Sequence, residues 1–222
     1  MTHIRAALTL VAAAALMLAD VSAQVVLRTF DDDPIGSTPP GLTFPVARQQ
    51  AAAKWSVRAD GSGRYLTHAA DPSASGGLSL AVLDMAHPSQ MRVSVRLKLV
   101  DGERVGGLVW RYQDQDNFYL ASLDLRLQEL ALYRIVRGNR IRLDDEDELE
   151  LDTSAWHSVR VVQDDDDIQV SLGGIGVMRA RDRTPTAGGR AGVWSGGAGT
   201  AWFDDLRVEP EEDRRGGRGR TR

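Results

Sequence analysis

The stretch Arg92-Val-Ser-Val-Arg-Leu-Lys-Leu-Val100 alternates polar and apolar residues without a break. Successive side chains of an extended strand point to opposite faces. Val93, Val95, Leu97 and Leu99 therefore share one face, and Arg92, Ser94, Arg96 and Lys98 the other. A period of 2 leaves no apolar stripe for a helix, so this segment must be a strand with one face to bury. Its partners follow the same pattern. Residues 106–112 and 118–125 read as strands joined by the polar turn 113–117. Residues 130–136 and 140–143 flank Arg137-Gly138-Asn139, and 156–163 and 168–172 flank the acidic turn 164–167. Gly173-Gly174 leads into 175–180, and 192–195 and 201–208 complete the series. Only 49–54 (QQAAAK) resembles a helix. The sequence has no fixed-period repeat, which argues against a propeller or β-helix. The expected fold is all-β, with two packed antiparallel sheets.

The ends differ from this pattern. His3 and Arg5 precede an apolar run, residues 6–19, and Val21-Ser22-Ala23 supplies small residues before Gln24. Residues 1–23 read as a signal peptide, the run being short for a membrane span. The domain is expected over 24–210 and the mature protein in a periplasm or outside the cell. There is no cysteine, so neither a disulfide nor a thiolate metal site is available, and the core alone must hold the fold. The net charge of −4 argues against nucleic acid as the main partner. Residues 211–222 hold five arginines against three acids, +2, leaving −6 for the rest. Rich in Gly and Arg and lacking apolar residues, this tail is expected to be disordered.

Certain strings narrow the expectation. In order they are Phe30-Asp31-Asp32-Asp33 with Pro39-Pro40-Gly41, Trp55-Ser-Val57, GGLVWRYQDQDNFYLASLD (106–124) and LALYRIVRGNRIRL (130–143). Then come Trp156-His157-Ser-Val-Arg160, VSLGG (170–174), Asp182, GRAGVWS (189–195) and Phe203-Asp204-Asp205-Leu206. Over about residues 28–208 the chain resembles the concanavalin A-like lectin/glucanase superfamily. Within it, the likeness is to the laminin-G-like and 3-keto-disaccharide hydrolase type of bacterial exported domain. The resemblance implies a jelly roll of two curved antiparallel sheets, with ligands on the concave face or its rim. It does not by itself imply a reaction.

Laminarinase-type members of that superfamily carry a Glu-x-Asp-x-Glu row, and DEDELELD (145–152) offers Glu148, Glu150 and Asp152 in a similar period. Retaining hydrolysis needs two carboxyls about 5–5.5 Å apart. Strand residues i and i+4 lie about 13 Å apart, although i and i+2 can converge. The row also ends an acidic run at a strand boundary. It reads as a solvated edge, with Leu149 and Leu151 turned inward. Ser154, Ser195 and His157 lack a nucleophile-elbow context, and the histidines lack metal-ligand spacing.

The better candidate for a site is Trp110-Arg111 with Asp114, Asp116, Asn117 and Tyr119. Aromatic faces stack on sugar C–H faces, and Arg, Asp and Asn bond hydroxyls. The alternative is a hairpin pinned by Arg111 with its aromatics in the core. The expected ligand rim is Arg111, Asp116, Tyr119, Arg134 and Trp194. Domains of this type often hold a structural calcium where the terminal strands meet, and Asp31 and Asp205 are the matching residues for such an ion. The resulting expectation is an exported, monomeric, lectin-like domain that binds a glycan without catalysis. Two alternatives stay open: a hydrolase of 3-keto-glycosides or a related enzyme, and a protein-interaction module of the envelope. A closed cleft of convergent acids would favour the enzyme, an open groove with exposed aromatics the lectin, and an apolar patch the interaction module.

Overall fold

The computed structural model describes residues 24–45, 54–69, 73, 77–184, 187–196 and 198–211. The predicted signal peptide, residues 49–53 of the helix-like stretch and residues 212–222 of the tail lie outside them. Described strands are, in chain order, β1 (Val26–Arg28), β2 (Leu42–Thr43), β3 (Trp55–Asp60), β4 (Gly63–His68), β5 (Leu78–His87) and β6 (Met91–Asp101). There follow β7 (Val105–Asp114), β8 (Asn117–Asp124), β9 (Glu129–Val136), β10 (Asn139–Glu146) and β11 (His157–Asp164). The last four are β12 (Asp167–Leu172), β13 (Ile175–Arg181), β14 (Gly189–Gly196) and β15 (Thr200–Pro210).

These strands form two antiparallel sheets, the sandwich expected from the alternation and the jelly roll that the resemblance implies. The first sheet has the order β13-β12-β11-β6-β15-β4-β3, with β1 pairing β15 as well; the second runs β10-β9-β8-β7-β14-β5-β2. Glu211, assigned to the tail, is tied to the first sheet. Its backbone N–H donates to the Gln90 carbonyl, and its carboxylate meets Arg92 at 2.6 Å.

The alternation of 92–100 is realised. Val93, Val95, Leu97 and Leu99 are at most 1% exposed and meet Leu108, Trp110, Ala121 and Leu123 of the second sheet. Each fully buried side chain of this size contributes about 1.5–3 kcal/mol. In β15 the inward residues are Ala201, Phe203, Leu206 and Val208. Strict alternation would put 205 and 207 inside; a register shift between Asp204 and Arg207, with Asp205 at φ 51°, moves Leu206 there instead. A buried hydrogen bond crosses the core. Trp110 Nε1 donates to Gln163 Oε1 at 3.1 Å, and Gln163 Nε2 donates to the Asp165 carbonyl at 2.7 Å. Gln163 is fully buried, so both ends of its amide need these partners.

The outer face of the second sheet carries a separate apolar layer, including Leu80, Val82, Val109, Tyr112, Phe118 and Trp194. Trp194 sits opposite Gly107, whose missing side chain leaves room for the indole, and Nε1 donates to the Ala121 carbonyl at 2.9 Å.

His87 is buried, and its Nε2 has no hydrogen-bond partner among the described residues. Burial lowers its pKa, because the charged ring would lose its hydration. The folded protein thus holds this proton less tightly than the unfolded chain. Stability from His87 is full above the unfolded value and is lost as the pH falls through the window below it. The urea midpoint should drop between about pH 7 and pH 5, and His87→Leu should flatten that slope. An unchanged slope in His87→Leu would assign the effect elsewhere.

Candidate functional site

Three of the five residues expected on a ligand rim do meet, but they face inward at one end of the sandwich. A register shift between Trp110 and Asp114, with Arg111 at φ 48°, turns the Arg111 side chain into the space between the sheets. There its Nε and Nη2 donate to the Ser89 carbonyl at 3.0 and 2.9 Å, and Nη2 also donates to the Asp165 carbonyl. The guanidinium lies 5.7 Å from the Tyr119 ring centre. Burial lowers the Arg111 pKa, while the charges of Tyr119, Asp182 and Asp165 oppose the shift.

The Tyr119 hydroxyl donates to Asp182 Oδ2 at 3.0 Å. Arg134 Nη1 donates to both Asp182 oxygens, at 3.0 and 2.8 Å, and to the Thr184 hydroxyl. The Thr184 backbone N–H caps Oδ1 at 3.0 Å. Burial would raise the Asp182 pKa, but the hydrogen bonds from Thr184 and Tyr119 and the Arg134 charge outweigh it and hold the carboxyl below its ordinary value. Apart from Arg134 Nε, which is buried without a hydrogen-bond partner among the described residues, the donors and acceptors named here are committed to other parts of the chain. The cluster is a clasp between the sheets, closer to the pinned hairpin than to a sugar platform.

The other two expected rim residues stand apart. Asp116 sits at the tip of the β7–β8 hairpin, where its carbonyl accepts the Gly138 N–H at 3.0 Å. Trp194 is 2% exposed on the opposite face, so its ring offers no surface for stacking. The calcium pair also has protein partners. Asp31 Oδ1 accepts the Arg64 N–H at 3.2 Å, and Asp205 pairs with Arg96 at 3.2 Å. Asp204 lies between them electrostatically: burial raises its pKa, and the charges of Asp205 and Asp31 raise it further. Among the described residues no three His, Asp or Glu side chains are placed to hold one ion. A calcium ion takes six to eight oxygens, so beside Asp31 and Asp205 it would need backbone carbonyls and water.

In DEDELELD, strand β10 ends at Glu146 and the acids continue as an irregular segment. Glu148, Glu150 and Asp152 are exposed, while Leu149 and Leu151 are partly buried against the core. Leu149 N–H bonds the Gln128 carbonyl and Leu151 N–H the Gln128 side chain. The inward leucines and outward acids match the expectation without a strand. The Ser154 hydroxyl and N–H hold the Asp152 carboxyl below its ordinary pKa. That is opposite to what a general acid needs.

The outer face of the first sheet is different. At one end Tyr65, Trp202 and Trp156 form an aromatic group: Tyr65 stacks on Trp202 at 4.4 Å, and Trp156 lies 6.3 Å from Trp202. Arg96 sits 5.0 Å over Trp156 and Lys98 5.3 Å over Trp202. Both tryptophans are half-buried.

At the β11-β12-β13 end the same face opens into a hollow of about 440 Å³, lined by Arg160, Val162, Gln169, Ser171, Val177 and Arg179, among others. Strand register builds it in two rows. Val162 pairs Gln169, which pairs Arg179; Arg160 pairs Ser171, which pairs Gly176. A shift between Val170 and Ser171 and the bare Gly176 leave the space open, and a Cβ on Gly176 would meet nothing within 4 Å. The side chains of Arg160, Gln169, Ser171 and Arg179 make no hydrogen bond or ion pair among the described residues. The strand period marks each of them as outward-facing. Their gathering depends on which strands pair, and no local pattern encodes that.

In sequence, the chain matches no protein family and no curated protein. Its fold is shared with solved structures. One is a carbohydrate-binding module, CBM66 from Bacillus subtilis, with 19% identity over 79% of this chain and 99% of that one, at a TM-score of 0.63. Another is domain 4 of AbnA, a GH43 extracellular arabinanase from Geobacillus stearothermophilus, in complex with arabinotriose. It shows 13% identity over 85% of this chain and 93% of that one, at a TM-score of 0.57. A third is a glycosidic hydrolase, 12% identical over 87% of this chain and 99% of that one, at a TM-score of 0.60. At these identities the likeness establishes the jelly-roll sandwich.

Proposed function

We propose that this chain is an exported carbohydrate-binding domain that holds a saccharide without covalent chemistry. The site is the outer face of the first sheet, in the hollow beside β11, β12 and β13 and toward Trp156 and Trp202. One observation carries the reading: a hollow of about 440 Å³ whose four polar side chains have no partner within the described protein. That volume falls within the usual range for small-ligand sites, and its mixture of apolar floor and few polar groups suits a sugar ring. Val162 and Val177 provide the floor, and Gln169 and Ser171 provide donors and acceptors for hydroxyls. Trp156 lies four residues before Arg160, about 13 Å along the strand, so a ligand of several sugar units reaches both. The fold is one that a carbohydrate-binding module and an arabinotriose-bound domain also use. Export rests on the apolar run of residues 6–19.

The hydrolase alternative, 3-keto-glycosides included, needs a proton-donating carboxyl beside a second acid. The exposed acids of 148–152, with Asp152 held low, weigh against it. Binding and turnover are tested together, on a glycan array and on a panel of ordinary and 3-keto glycosides. We expect binding without turnover. Gly176→Phe should abolish it by filling the hollow at no backbone cost. Trp156→Ala should weaken an oligosaccharide about tenfold, since a stacked ring contributes about 1 kcal/mol or slightly more. Binding that ignores both substitutions would move the site elsewhere, and turnover would replace the binding reading with an enzymatic one.

A further inference from the structure

We infer that the saccharide is acidic: the hollow receives the carboxylate of a uronic acid unit between Arg160 and Arg179. This deepens the proposed function and rests on it. Arg160 and Arg179 stand on β11 and β13, on either side of β12 and two residues apart in register. With strands about 4.8 Å apart and a rise of about 3.3 Å per residue, their Cα atoms are separated by about 12 Å. Two extended arginine side chains are long enough to reach one ligand group in that gap, above Gln169 and Ser171.

Among the arginines of this sheet, Arg28 is held by Asp33 and Arg64 by the Asp33 carbonyl. Exposed Arg58, on β3 at the edge opposite the hollow, has no ion pair among the described residues. Arg92 is held by Glu209 and Glu211, Arg96 by Asp205, Arg181 by Asp167 and Arg207 by Glu209. Arg160 and Arg179, which line the hollow, have no acid among the described residues. The polar side chains between them, Gln169 and Ser171, are neutral. The protein therefore places two uncompensated planar forks around one depression, and a guanidinium fork matches a carboxylate with two parallel hydrogen bonds. A neutral sugar would leave both charges without a counterpart. The apolar floor of Val162 and Val177 and the amide and hydroxyl beside it provide for the rest of the pyranose ring, which a bare anion would not use.

The experiment measures binding of trigalacturonate, arabinotriose and inorganic sulfate to the full chain by calorimetry, with Arg160→Gln, Arg179→Gln and the double variant. The arginines are exposed, so thermal unfolding should be unchanged and will verify the fold. Trigalacturonate should bind at least tenfold more tightly than arabinotriose. Each single variant should reduce its affinity about tenfold, and the double variant should bring it to the level of the neutral sugar. Equal binding of the acidic and neutral sugars, indifferent to the arginines, would overturn the acidic assignment and leave the carbohydrate reading standing. Sulfate competing as well as trigalacturonate, with the same arginine dependence, would make this a general anion site and overturn the sugar assignment. Failure of every saccharide would overturn both.

Discussion

Asp182→Ala is expected to destabilise the protein by about 3 kcal/mol at neutral pH, the scale for removing one partner of a buried ion pair. It removes the carboxylate to which both the Arg134 guanidinium and the Tyr119 hydroxyl donate. Asp182→Asn keeps the shape and some hydrogen bonds but loses the charge, so it should cost less. Because the Asp182 pKa is depressed in the folded protein, its contribution is present above the unfolded carboxylate value of about 3.9. That contribution is lost as the pH falls through the lowered folded value. Denaturant midpoints measured from neutral to acidic pH check both points. In the Asp182→Ala, Arg134→Ala cycle, the double mutant should lose less than the sum of the singles. A cost below about 0.5 kcal/mol for Asp182→Ala would remove the clasp as a source of stability.

Gly107→Ala should be comparably damaging for a different reason. A Cβ at this position would lie 2.2 Å from the Ala121 carbonyl oxygen and 3.4 Å from the Trp194 indole nitrogen. That carbonyl is the acceptor of the indole, so the methyl group both overpacks the strand pair and disturbs a buried hydrogen bond. The two effects together predict a loss of about 3 kcal/mol. Trp194 fluorescence should change with it. Gly61→Ala, where a Cβ meets nothing within 4 Å, is the matched control and should be near neutral. A Gly107→Ala protein as stable as the control would mean that β7 and β8 can part without cost.

The sandwich was legible because alternation is local. Residues 92–100 carry their inward and outward faces in the order of their side chains, and the turn residues mark where each strand stops. The clasp was only partly legible. Arg111, Tyr119 and Arg134 were recognisable as a group, but their direction was not. A bulge at Arg111 and the return of the chain at Asp182 turn them inward, and both depend on partners distant in sequence. Trp194 read as an exposed aromatic because nothing near it in the sequence shows that Gly107 will lie opposite it. The hollow was the least legible feature. Arg160, Gln169, Ser171 and Arg179 are ordinary outward residues of three strands, and only the register gathers them. Gln163 inverts the rule: a polar residue at an inward position, kept there by Trp110.

The placement of β15 has a consequence for how the chain acquires its structure. Strand β15 pairs with β6 along most of its length and with β1 and β4 on its other edge, bringing position 208 against positions 93 and 26. The middle of the first sheet is thus assembled from segments more than a hundred residues apart. Closing such a loop costs entropy before any contact repays it, which slows folding. A nascent chain emerging from the ribosome can form the β7–β8 and β9–β10 hairpins, but β6 lacks a sheet neighbour until β11 follows, and its second neighbour until residues 200–210 do. The sandwich therefore closes only once β15 has emerged, and until then the apolar face of β6 is incompletely covered and open to whatever chaperone meets it.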